Sequence, residues 1–113
     1  MAIDLFGHSA LPLSETARRL DFARKSHPDW FAGPLFLADP TDLGPFGAEI
    51  ARAFGIEAQC RFGLFVHDKD RLDTLGPAVE FLYRVFGTDH LVVTWGMDSV
   101  RAPERRYDPM AIG

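Results

Sequence analysis

The residues best equipped for chemistry stand together at 67–73: His67-Asp68-Lys69-Asp70, with Asp73 close behind. Imidazole and carboxylate donors at the end of a strand are the set with which small hydrolases hold a divalent cation and activate water. A metal-assisted hydrolase using His67, Asp68 and Asp70 is therefore one reading. The calcium-loop pattern does not fit, because it needs glycine at its sixth position and a carboxylate at its twelfth, where this chain has Asp73 and Val79. A solvated acidic turn leading into a helix accounts for the same residues without a metal. His8-Ser9 pairs a base with a hydroxyl, but adjacent residues seldom face each other and the nucleophile-elbow glycines are missing. Cys60 is the single cysteine, so no intramolecular disulfide can form, and the Cys/His set of a structural zinc site is lacking. Gly44, Gly47 and Gly55 lack the spacing of a phosphate-binding loop. No catalytic residue, metal or cofactor is expected.

The elements that position these residues centre on a strand–helix–strand unit over residues 59–97. Cys60, Phe62, Leu64 and Val66 alternate with Arg61, Gly63, Phe65 and His67, a period of two that marks a strand with one apolar face. The other face is mixed, which implies partial cover or a partner. Cys60 falls on the apolar side, where a thiol packs as a small hydrophobe. Residues 68–73 make a charged connection. Pro77 then fixes the start of the next helix, since an interior proline costs roughly 3 kcal/mol and a first-turn proline costs little. With Thr74 as N-cap, Leu75, Val79, Leu82 and Phe86 line one face, widened by Ala78, Phe81 and Val85, and Gly87 ends the helix. Residues 91–95 read as a central strand of β-branched and aromatic residues. The spacing allows a parallel strand pair through a right-handed crossover, or an antiparallel arrangement with another strand inserted between.

Before this unit, residues 3–6 form a short strand cut off by Gly7. Ser14 reads as the N-cap of a helix over 15–26 that stops before Pro28, with a thin apolar stripe of Leu13, Ala17, Leu20 and Arg24. Residues 27–47 are punctuated by prolines and glycines and read as loops, with a short strand at 35–38. Pro45 opens a second helix carrying Phe46, Ile50, Ala53 and Phe54 at helical spacing. Gly55 suits its C′ position, with Ile56 packing back. An edge strand over 100–107 and a loose tail over 108–113 complete one domain spanning 1–113.

Composition narrows the function. A chain of 113 residues that is 47% hydrophobic, with ten Phe, supports a single core without staples. The net charge of −4 argues against a nucleic-acid partner; it reads first as solubility, and a basic or mixed-charge protein would suit it as a partner. Arg18, Arg19, Arg24 and Lys25 give the first helix a basic face, which reads as solvated. No run of 18 apolar residues occurs, so no membrane span is expected, and the cytoplasm is the default location. Trp30 and Phe31 lie between Pro28 and Gly33, outside any periodic element, where aromatics serve either as partner anchors or as core.

Residues 60–95 resemble the central part of small bacterial immunity proteins of interbacterial competition systems. A phenylalanine-bearing strand (Arg61-Phe62) runs into a charged turn (His67-Asp68-Lys69) and then an amphipathic helix over 75–86. Gly87-Thr88-Asp89 and a second apolar strand over 91–95 follow, and Asp98 corresponds to an acidic residue often found after that strand. The resemblance implies tight binding of one cognate toxin and no catalysis. The expected fold is α+β, with two to three helices packed on a sheet of three to five strands. The leading function is a non-catalytic immunity or antitoxin-like inhibitor, steered by Asp68, Asp70 and Asp73 and anchored by Trp30 and Phe31. The hydrolase above is one alternative, and a subunit of a homo-oligomer or larger complex is another.

Overall fold

A computed structural model describes residues 3–96 and 105–106. β1 (Ile3–Ser9), β4 (Cys60–Val66) and β5 (Leu91–Gly96) form the body of an antiparallel sheet ordered β2-β4-β1-β5-β6. β2 (Leu35–Leu37) and the two-residue β3 (Thr41–Asp42) share the outer edge of β4, and β6 (Arg105–Arg106) pairs with β5. Both β4 and β5 run antiparallel to β1, so they are parallel to each other with β1 inserted between them. The crossover through α4 (Leu75–Phe86) therefore spans one intervening strand. β1, rather than β5, is the centre of the sheet.

β1 does not stop at Gly7 but continues to Ser9. Glycine usually weakens a strand. Here a side chain at position 7 would overlap the Phe62 ring, which lies across it from β4. The glycine makes room for a core aromatic, a reason supplied by a residue far along the chain and invisible locally.

Leu5, Phe62, Leu64, Val66, Leu91 and Val93 project from one sheet face into the main core. Over them lie Leu20 and Ala23 of α1 (Leu13–Ser26), Phe31 of the one-turn helix α2 (Pro28–Phe31), and the apolar stripe of α4. That stripe is the expected one, with Leu75, Ala78, Val79, Leu82 and Phe86 buried, and Tyr83 joins it. Tyr83 Oη accepts the Val93 N–H at 2.9 Å, which satisfies a backbone donor of β5 that faces away from β1. α1 begins two residues earlier than expected, after Pro12, so Ser14 lies inside it and makes no cap. Its buried face is Thr16, Leu20 and Ala23, one step off the expected stripe, and Leu13 is exposed.

α3 (Pro45–Ala53) packs on the other sheet face, at one end only, through Ala51, Ile56 and Val92. Its ending follows the sequence closely. Gly55 has φ +83°, and the Ile56 and Gly55 N–H groups donate to Ala51 O and Arg52 O at 3.0 Å each, a Schellman ending. Residue 98, Tyr107 and the expected tail lie outside the described residues.

Candidate partner-binding surface

Alternation along β1, β2 and β4 puts Asp4, Phe6, Phe36, Gly63 and Phe65 on the face that α3 leaves open. Cross-strand neighbours then bring the rings together. Phe36 and Phe65 stack with centroids 6.2 Å apart, and Phe65 meets Phe6 edge-on at 6.3 Å. His67, just past the end of β4, stacks on the other flank of Phe36 at 5.7 Å. Arg61 lays its guanidinium 4.4 Å from the Phe6 ring centroid, a cation–π contact. Phe65 lies over Gly63, where any side chain would overlap its ring. The result is a row of aromatics, Phe6–Phe65–Phe36–His67, whose outermost phenylalanine, Phe36, is 46% exposed. Beside it a cleft of about 190 Å³ is lined by Phe6, Ala38, Asp39, Thr41, Arg61 and Phe65, among others.

The acidic turn continues this row. The His67 and Asp68 N–H groups both donate to Pro34 O, at 2.8 and 3.1 Å, which ties the end of β4 to the start of β2. Asp68 then caps a 3₁₀ turn, Lys69–Thr74, by accepting the Asp70 N–H at 3.0 Å. Asp70 is exposed, and Asp73 lies 3.4 Å from Arg71 Nε on the surface. Thr74 stands at the N-cap of α4 as expected, although its hydroxyl donates back to Arg71 O at 2.6 Å instead of capping forward. The three aspartates thus share one exposed turn adjoining the aromatic row.

Trp30 and Phe31 are elsewhere. Phe31 is 5% exposed, within the core. Trp30 is half-buried on the helical side, stacked on His27 at 3.9 Å and edge-on to Phe81 of α4. The structure therefore brings the aspartates together and separates them from both aromatics. Phe36 and Phe65 take the adjoining position instead. The alternation of residues 35–37 contained the signal for Phe36, since a strand that buries Leu35 and Leu37 must turn residue 36 outward.

The remaining chemical candidates have structural roles. His67 stacks on Phe36 and Asp68 caps its turn, and among the described residues no group of three or more His, Cys, Asp or Glu side chains is placed to hold a metal ion. His67 and His90 sit at opposite ends of the sheet, as the parallel relation of β4 and β5 requires. Ser9 and His8 point to opposite faces. Ser9 Oγ is 2.8 Å from Thr16 Oγ1, and Cys60 Sγ donates to the same hydroxyl at 3.2 Å, forming a small buried polar knot beneath α1. The basic side chains of α1 are ion-paired, Arg18 and Arg19 on Glu15, Lys25 on Asp21 and Arg24 on Asp39. The Arg18 hydrogen bond, with Arg19 next, holds the Glu15 carboxyl below its usual range, and Lys25 does the same for Asp21. Among the described residues no helix is long and apolar enough to cross a membrane.

Comparison with known proteins gives these features a context. No curated protein sequence matches the chain. Among solved structures, a chain of the CdiA-CT/CdiI toxin and immunity complex from Burkholderia pseudomallei has a similar fold, with a TM-score of 0.78. The match covers 82% of this chain and 90% of that one at 22% identity. A family model, the CDI system immunity component, matches residues 1–99. Covering most of the chain, that match shows that the chain belongs to the family of CDI system immunity components.

Proposed function

We propose that this chain is a non-catalytic inhibitor that binds and neutralises a cognate toxin in the cytoplasm, meeting it with the surface around the acidic turn. The observation carrying this reading is membership of the CDI immunity family over residues 1–99. The chemistry of the turn supports it. Asp68, Asp70 and Asp73 put three carboxylates on one turn against Lys69 and Arg71, a net negative stretch on a chain of net charge −4, and such a field accelerates encounter with a basic surface. Neutralisation then needs only occlusion, so no catalytic group is required.

The test is growth and kinetics with the cognate toxin domain. Co-expression should rescue cells from that toxin, and purified chain should bind it. Asp70→Lys and Asp73→Lys combined with Asp68→Asn, which keeps the capping acceptor, should slow association about tenfold or more at low salt and much less at high salt. An unchanged association rate would remove the turn from the interface. Failure to rescue or to bind would remove the function.

A further inference from the structure

The uncovered part of the sheet has a chemistry more specific than an apolar patch, and we infer that it seats an arginine- or lysine-bearing segment of the toxin against the Phe36–Phe65 end of the aromatic row. The inference rests on the toxin-binding reading above and names the chemistry of the partner. Its warrant is charge complementarity around an aromatic floor. Two carboxylates border the Phe36–Phe65 end of that floor. Asp4 stands opposite Phe65 in the β1–β4 register and Asp68 follows His67 at the end of the row, whereas Asp39, in the cleft beside Phe6, is already paired with Arg24. Aromatic faces attract cations electrostatically, more strongly once water is excluded, and neighbouring carboxylates add to that attraction.

The chain itself supplies a worked instance. Arg61 already lays its guanidinium on Phe6, so rings of this row accept a cation at contact distance. That contact occupies the Phe6 end. The Phe36 end, flanked by Phe65 and His67 and 46% exposed at its centre, is accessible. Phe36 is a large aromatic that the fold leaves nearly half exposed. It is the kind of side chain that dominates binding energy at an interface.

Two charge variants at one position read the sign of the partner. Phe36→Lys should weaken toxin binding about a hundredfold and Phe36→Glu about tenfold or less, while Phe22→Ala on the helical side leaves it unchanged. Phe36→Lys and Phe36→Glu lose the same stacking on Phe65 and His67, so both should melt below the parent by a similar amount, and the difference in their affinities reads charge alone. Greater loss with Phe36→Glu than with Phe36→Lys would mean an acidic partner surface and would overturn the inference. Unchanged affinity in both would do the same. So would light scattering in which the parent is a dimer, Phe36→Lys a monomer, and toxin affinity intact, because the face would then join two copies of this chain. A peptide arm stands apart from the toxin. An (Arg-Gly)₃ peptide should shift the amide resonances of residues 36, 65 and 67, and (Glu-Gly)₃ should not. Equal or absent shifts would sink the proposed surface even if the toxin binds, and a toxin that fails to bind would sink the function itself.

Discussion

Leu64 and Phe65 are neighbours on β4 and point to opposite faces of the same sheet. Leu64 is sealed beneath α1 and α4, whereas Phe65 stands in a row open to solvent at its Phe36 end. The same contrast recurs in two glycines. Gly7 lies under Phe62 on the core side, and Gly63 lies under Phe65 on the open side, with nearly the same tight approach. One face of the sheet is closed by helices and sets stability. The other is closed by α3 at one end only and leaves aromatic and acidic groups where a partner can reach them.

The largest expected effect comes from breaking the closed face. Leu64→Ala should cost about 2–5 kcal/mol of unfolding free energy, from lost burial and a cavity that neighbours cannot fill. Phe65→Ala removes more atoms but should cost only about 1 kcal/mol, since its ring is partly solvated already. Chemical denaturation of both variants checks the pair. Equal losses would mean that the open face is as much core as the other.

The glycines sharpen the comparison. Gly7→Ala forces a methyl group into the Phe62 ring, which is held by Phe86 stacked at 5.7 Å, and should cost about 1–3 kcal/mol. Gly63→Ala makes a similar clash with Phe65, but that ring can swing toward solvent, so the change should stay under about 1 kcal/mol. Thermal melts decide this, and a larger loss at Gly63 than at Gly7 would reverse the assignment of faces.

How much of this was legible in the sequence follows from the range of each interaction. The two faces of β4 were readable because alternation is local, and its mixed side already pointed to partial cover or a partner. The ending of α3 was readable because Gly55 and Ile56 carry the whole motif within a few residues. The continuation of β1 through Gly7 was not, since its cause is Phe62 on another strand. The start of α1 was missed for a different reason. Ser14 has the chemistry of a cap, yet the helix begins one residue before it. The acidic turn was visible as composition, while its junction with Phe36 depends on Pro34 holding His67 and Asp68 in place. Trp30 and Phe31 show the limit of reading aromatics outside a periodic element, where core and surface look alike.

The smallest expected effect is electrostatic and lies away from both faces. Glu15 is held below its usual range chiefly by Arg18, then Arg19. A carboxylate depressed in the folded state adds stability above its unfolded pKa and loses it as pH falls through the folded value. Acid titration should therefore loosen the first turn of α1 only below the ordinary carboxylate range, and Glu15→Gln should remove that part of the acid dependence. Amide exchange near residue 15 as a function of pH reads it. The same dependence in Glu15→Gln would assign it to other carboxylates.

Hydrogen–deuterium exchange of the chain alone and with its toxin domain tests the central claim most directly. New protection is expected at residues 34–37 and 61–74, covering β2, the open side of β4 and the acidic turn. Protection confined to the outer surfaces of α1 and α4, with the Phe36 strand and the turn exchanging as in the free chain, would contradict the account.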